Sequence, residues 1–251
     1  MSRLTVMTIE DLSVSYERKM VLSNIYLRIE SGHVYGILGP NGAGKSTLFK
    51  AILGLIEVSA GEVKVNKLPI ETQRKEVVYV PQKTEVDWNF PATVMDVVLM
   101  GRYPHKKVFS RLSSADRAKA NDAMEELGIT SLAKRQIGEL SGGQQQRVFL
   151  ARALCQEADI FLLDEPFVGV DITTEDKIVQ VLKRLASEGK TLLVVHHDLS
   201  TVTTYFDHVI LLNQRMIAYG PMEQTFTEEN IAKTYSGQLP ILHQIGVIDG
   251  K

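Results

Sequence analysis

Apolar and polar residues alternate along residues 4–9, 12–16 and 22–29, and this period of two predicts short strands with one buried face each. Residues 33–38 form a compact apolar run that enters a glycine-rich turn, and the pattern then changes to a helical one over 45–53, closed by Gly54. Two more strands are predicted at 61–66 and 77–81.

From about residue 91 to 157 the apolar spacing is helical, most clearly at 114–127 and 141–155. Strands and helices alternate again afterwards: a strand at 160–164, a helix at 173–187, and strands at 191–196 and 209–212. Such alternation predicts an α/β protein with a mainly parallel sheet flanked by helices. A helical insertion at about 91–157 would interrupt that core, and the first strands would form a small antiparallel β subdomain. The expected organisation is one domain over residues 1–235, followed by a tail at 236–251 that carries no interpretable motif.

Composition narrows the classes. With 251 residues, 44% hydrophobic and 23% charged, the chain can bury a substantial core. Its net charge is −2 with both signs interspersed, which argues against a broad basic face for nucleic acid. Cys155 is the single cysteine, so a disulfide framework and a cysteine metal site are excluded. The expected setting is cytosolic. No leader pattern or bilayer-length apolar run is visible, so any membrane role needs a second chain.

The turn after residue 38 reads Gly39-Pro40-Asn41-Gly42-Ala43-Gly44-Lys45-Ser46-Thr47. Between a strand and a helix, this spacing predicts a phosphate-binding loop. Glycines let backbone N–H groups converge on phosphate oxygens, Lys45 reaches the β- and γ-phosphates, and the Ser46 hydroxyl binds Mg²⁺. Further on, an apolar strand ends in Asp164-Glu165-Pro166. Alone, such a pair is as easily a solvated strand end. Beside a phosphate loop, Asp164 suits Mg²⁺ and Glu165 suits a general base acting on water.

Leu140-Ser141-Gly142-Gly143-Gln144-Gln145-Gln146-Arg147 can form a second phosphate cradle, with a serine hydroxyl and glycine amides opening a helix. It resembles the signature of ABC transporter ATPases. The resemblance spans about residues 4–221. It implies a P-loop ABC ATPase core that uses ATP and Mg²⁺ and works as a dimer, expected to be a homodimer. In that arrangement Ser141, Gly142, Gly143 and Gln144 grip ATP held by the other subunit. It further implies Gln82 as a ligand of Mg²⁺ and the attacking water, His197 as the histidine at the γ-phosphate, Tyr16 as a stacking partner for adenine, and Asp171 as the residue of the loop that crosses to the partner. Two departures are visible: that loop reads Val168-Gly169-Val170-Asp171, and His196 precedes His197 where threonine is usual.

The run from Asp87-Trp88 to Gly101-Arg102-Tyr103 is similar to ATPases of bacterial importers for manganese, zinc or iron chelates, and nearest to the manganese group. This resemblance implies integral membrane permease subunits as partners, an extracytoplasmic binding protein acting indirectly, and a peripheral position on the cytoplasmic face. No nucleic-acid partner is expected. Trp88 and Met100 would pack a docking surface. Zinc, iron chelate, siderophore and cobalamin importers are the rival substrates, and a soluble ABC ATPase without transport is the rival class. Among the six histidines only His196 and His197 are adjacent, and neighbours on a strand face opposite ways, so no shared metal is expected.

Overall fold

A computed structural model describes residues 4–17, 19–88, 90–107 and 110–235. The tail at 236–251 and Asn89 of the docking run lie outside them. In chain order the elements are β1 (Thr5–Tyr16), β2 (Lys19–Glu30), β3 (Val34–Leu38), α1 (Lys45–Ile52), β4 (Ala60–Val65), β5 (Leu68–Pro69) and β6 (Val77–Val80). There follow α2 (Val94–Leu99), α3 (Ser114–Glu126), α4 (Gly142–Gln156), β7 (Ile160–Asp164) and α5 (Ile172–Ser187). The last are β8 (Thr191–Val195), α6 (Val202–Tyr205), β9 (His208–Asn213), β10 (Arg215–Pro221), α7 (Met222–Thr225) and α8 (Glu228–Thr234). The chain is α/β, and it divides into two compact units with cuts after Gln73 and Arg184.

The first unit holds the described residues before Arg74 and after Arg184. One of its sheets is antiparallel, in the order β2-β1-β4-β5. The sequence predicts two strands where the chain forms one, β1, because the interruption at Asp11 is a bulge rather than an end. Asp11 and Asn24 both adopt φ 51°, a region that Asp and Asn tolerate better than other side-chain-bearing residues. Asn24 Nδ2 donates to Asp11 Oδ1 at 2.7 Å, and its backbone N–H donates to Ser13 Oγ at 3.0 Å. The bulge returns Leu12 and Val14 to the buried face, opposite Ile25 and Leu22.

In the same unit β3 runs parallel to β8 and to β9, and β9 pairs antiparallel with β10. All five residues of β3 and all five of β8 are buried, the continuous apolar character expected of parallel strands. Gly36 sits where β3 meets the Phe206 ring; a Cβ there would come within 2.6 Å of it. The turn from β9 to β10 braces the loop after β3. Gln214 N–H donates to Ala43 O at 2.9 Å, and Ser23 N–H donates to Gln214 O at 2.9 Å.

The second unit runs from Arg74 to Arg184. Its parallel pair β6–β7 ends at Asp164, with β7 wholly buried. Three helices begin with reciprocal capping boxes: Thr93 with Asp96, Ser113 with Asp116, and Ser141 with Gln144. Buried Arg102 ties the helices together. Its Nε donates to Asp116 Oδ1 at 3.2 Å, and its Nη1 donates to Cys155 O at 2.7 Å and to Glu157 Oε2 at 2.8 Å. Trp88 stacks edge-on against Phe149 at 5.3 Å and donates to Lys83 O at 2.9 Å. The indole therefore packs within its own unit, whereas Met100 and Tyr103 stay exposed. No helix among the described residues is long and apolar enough to cross a membrane.

Candidate nucleotide site

The loop between β3 and α1 is shaped by close approach. A Cβ on Gly39 would lie 2.0 Å from Leu212 O, and one on Gly44 would lie 2.5 Å from Leu22 Cδ2. Gly44 is the N-cap of α1 at φ 94°, a left-handed conformation that disfavours any side chain there. Its lack of a side chain has a second effect: no side chain caps α1, and the first turn carries no acidic residue. The first-turn N–H groups and the positive end of the helix dipole are thus left for an anion. Lys45 is buried, and its Nζ donates to Gly39 O at 2.7 Å and Pro40 O at 3.0 Å, folded against its own loop. Ser46 and Thr47 are half-buried, Ala43 is buried, and Asn41 and Gly42 are exposed at the rim.

The same unit carries Tyr16, His196 and His197. Tyr16 closes β1 and is 45% exposed. His196 and His197 diverge as neighbours on an extended chain do. His196 is buried, its Nε2 paired with Thr201 Oγ1 at 2.8 Å and its ring 5.4 Å from Phe206. Burial pushes its imidazole down to about 4, so the ring is neutral in the fold. His197 is exposed.

In the second unit the end of β7 gathers the acidic groups. Asp164 is 1% exposed, and its Oδ2 accepts from the Tyr79 hydroxyl at 3.4 Å. Burial, with Asp164 and Glu85 beside it, pushes the Tyr79 phenol up, so it stays a hydrogen donor. Glu165 has left-handed backbone, φ 52°, unusual for a glutamate and of a kind that concentrates at functional sites. Gln82 Nε2 donates to Glu165 Oε2 at 2.6 Å, while its Oε1 accepts from Thr84 Oγ1 at 3.2 Å.

The signature residues open α4. Ser141 Oγ accepts from Gln144 N–H at 3.4 Å, and Gln144 Oε1 accepts from Ser141 N–H at 3.0 Å. The serine is exposed, and its own O–H remains a donor. Gly142 packs closely, since a Cβ would sit 2.7 Å from Lys83 Nζ and 3.2 Å from Gly169 O. Lys83 thus adds a positive charge at the start of α4 that sequence reasoning did not single out. Gly143 faces Asp171 and Thr174. Asp171 caps the start of α5: Oδ1 accepts from Thr174 N–H at 2.9 Å and Oδ2 from Thr174 Oγ1 at 2.8 Å. Those bonds hold its carboxyl below the usual range.

Sequence reasoning also saw no histidine cluster. The structure brings His33, Asp207 and His208 together, with a ring nitrogen from each histidine and a carboxylate oxygen within 4.8 Å of one another. His33 and Asp207 are 174 residues apart, and pairing of β3 with β9 is what joins them.

A phosphate loop opening an uncapped helix, in a chain that also carries a buried strand ending in two carboxylates, defines a phosphate-loop nucleotide-binding protein. The model of the ABC transporter family matches residues 22–168, and the chain belongs to that family. It is an ABC-type ATPase of a transport system. The chain is 51% identical to a manganese transport system ATP-binding protein of Listeria monocytogenes, over 96% of this chain and 100% of the relative. It is 53% identical to a zinc transport system ATP-binding protein of Treponema pallidum, over 92% of this chain and 87% of the relative. Among solved structures it matches the ATP-binding cassette MJ0796, a dimer in a post-hydrolysis state bound to ADP and phosphate, with a TM-score of 0.74. Identity is 28%, covering 86% of this chain and 98% of that one.

Proposed function

We propose that this chain powers uptake of a divalent metal ion, manganese first and zinc second, through a separate membrane permease. The supporting observation is the identity of about half, kept over nearly the whole length, with ATP-binding proteins of manganese and zinc transport systems. Two copies would sandwich two ATP molecules, and the dimeric cassette bound to ADP and phosphate supports that arrangement.

Each residue's role follows from its chemistry. Main-chain N–H groups of residues 39–47 other than Pro40, together with Lys45, take the phosphates, and Tyr16 offers its ring to adenine. Mg²⁺ has a fitting donor set in the Ser46 hydroxyl, the Gln82 amide oxygen and the Asp164 carboxylate, all hard oxygens with no thiolate or imidazole among them. When bound, the ion neutralises phosphate charge. Gln82 donates from Nε2 to Glu165 and accepts at Oε1 from Thr84, and the second lone pair of Oε1 remains for the ion. Glu165 accepts the proton of the attacking water, and His197 donates to the γ-phosphate. Ser141, Gly142, Gly143 and Gln144 receive the partner's nucleotide. Closure is passed to the permease through the Gln82 loop and the helices that follow it.

The test is metal accumulation in source cells whose only copy carries Glu165→Gln. Loss of manganese uptake supports the proposal, loss of zinc alone moves the substrate to the second metal, and normal entry of both overturns the metal assignment.

A further inference from the structure

His33, Asp207 and His208 lie outside everything the nucleotide chemistry uses. His33 ends the link into β3 and Asp207 the link into β9, and the two strands run parallel. The cluster is therefore at the opposite end of β3 from the phosphate loop, roughly 20 Å away at about 3.3 Å per residue. Asp207 is held firmly: Oδ1 accepts from Val34 N–H at 2.9 Å, and Oδ2 lies 2.6 Å from His33 Nδ1. The ring centroids of His33 and His208 stand 4.1 Å apart, and the Tyr35 ring, 4.9 Å from His208, walls one side.

Two nitrogens in this cluster are underused. His33 is 3% exposed, yet its Nε2 is buried without a hydrogen-bond partner. His208 Nδ1 is buried as well; it stands 3.4 Å from Asp207 Oδ1 without hydrogen-bond alignment. Buried polar atoms left unpaired in this way are uncommon and call for a reason. There is also a way in. The Asp207 side chain is 50% exposed, and it lines a cleft of about 510 Å³ together with Thr203, Phe206, Met222 and Glu223.

We propose that His33, Asp207 and His208 bind one transition-metal ion of the zinc class, separate from the magnesium that accompanies ATP. Two imidazoles and one carboxylate are the ligands of many three-residue zinc sites, with the fourth position open to water. Imidazole nitrogen favours zinc, cobalt and nickel over manganese, and disfavours magnesium and calcium. The Val34 N–H bond orients the carboxylate, the kind of outer support that ligands of such sites have. The proposal does not depend on which metal the transporter carries.

The test uses the full chain, stripped of metal by chelation and kept in excess Mg²⁺ with no nucleotide. Cobalt is followed by its visible spectrum, and zinc and manganese by calorimetry. One ion per chain is expected, zinc tighter than manganese, with no competition from Mg²⁺ and a zinc-dependent rise in Tm. His208→Ala should weaken zinc binding by about a hundredfold or more. The His208 ring packs against His33 and Tyr35, so His208→Ala should also lower the metal-free Tm; His208→Phe, which keeps a ring there without a ligand atom, should lose zinc to the same extent and so separates the ligand from the packing. Asp207→Asn should abolish binding, and metal-free circular dichroism separates that from misfolding. Absence of saturable binding at one ion per chain would overturn the site. So would zinc affinity unchanged in His208→Ala, which would place the ion elsewhere.

Discussion

Gln82 holds Glu165 by a 2.6 Å hydrogen bond from its amide to the carboxylate. The acid is also fixed from beneath, because its left-handed backbone turns it away from the line of β7. A hydrogen bond to a charged group contributes about 1.5–3 kcal/mol. Gln82→Ala should therefore lower kcat about tenfold or more and leave the affinity for ATP nearly unchanged. Steady-state hydrolysis measured alongside nucleotide binding checks the split; a change confined to KM would contradict the positioning role.

Gly39 is required for space as much as for conformation. Gly39→Ala would drive a methyl group into Leu212 O, which is main chain and cannot swing aside. Overpacking of this kind costs about 1–3 kcal/mol. The expected result is a lowered Tm together with loss of ATP binding, read by thermal denaturation and by nucleotide-dependent stabilisation.

His196 gives the fold an acid-sensitive element. Its imidazole falls from 6.5 to about 4 on burial, so the unfolded chain takes up the extra proton between those values. The contribution is intact above pH 6.5 and is lost as pH falls toward 4, by up to roughly 3 kcal/mol. Urea midpoints across this range should fall with acid, and His196→Phe should flatten that part of the profile.

Cys155 reports on the second unit. Burial pushes its thiol up to about 11, so little thiolate exists at neutral pH. Native protein should react with Ellman's reagent roughly a hundredfold more slowly than a free cysteine. In denaturant, one thiol per chain should react at the ordinary rate.

Much of this was legible in the sequence because the signals were local. The phosphate loop, α1, β3, β7 and β8 announce themselves through continuous apolar runs and glycine spacing, and α3 and α4 through helical spacing of apolar residues. The β4–β5 hairpin was not visible. Its turn residues Asn66 and Lys67 take φ 51° and 66° without a glycine, and β5 has only two residues. β10 escaped because its half-exposed mixture of residues lacks a clean period. Lys83 at the head of α4 and the His33–Asp207–His208 cluster are products of long-range packing, which no spacing along the chain encodes.

If Glu165 is the base of this ATPase, the remaining nucleotide-binding residues should hold ATP without it. The most direct measurement is ATP binding and turnover by purified Glu165→Gln protein. ATP should bind as tightly as to the wild type, hydrolysis should fall by about 10²–10⁴, and an ATP-dependent dimer should persist. Hydrolysis at the wild-type rate would contradict this role for Glu165.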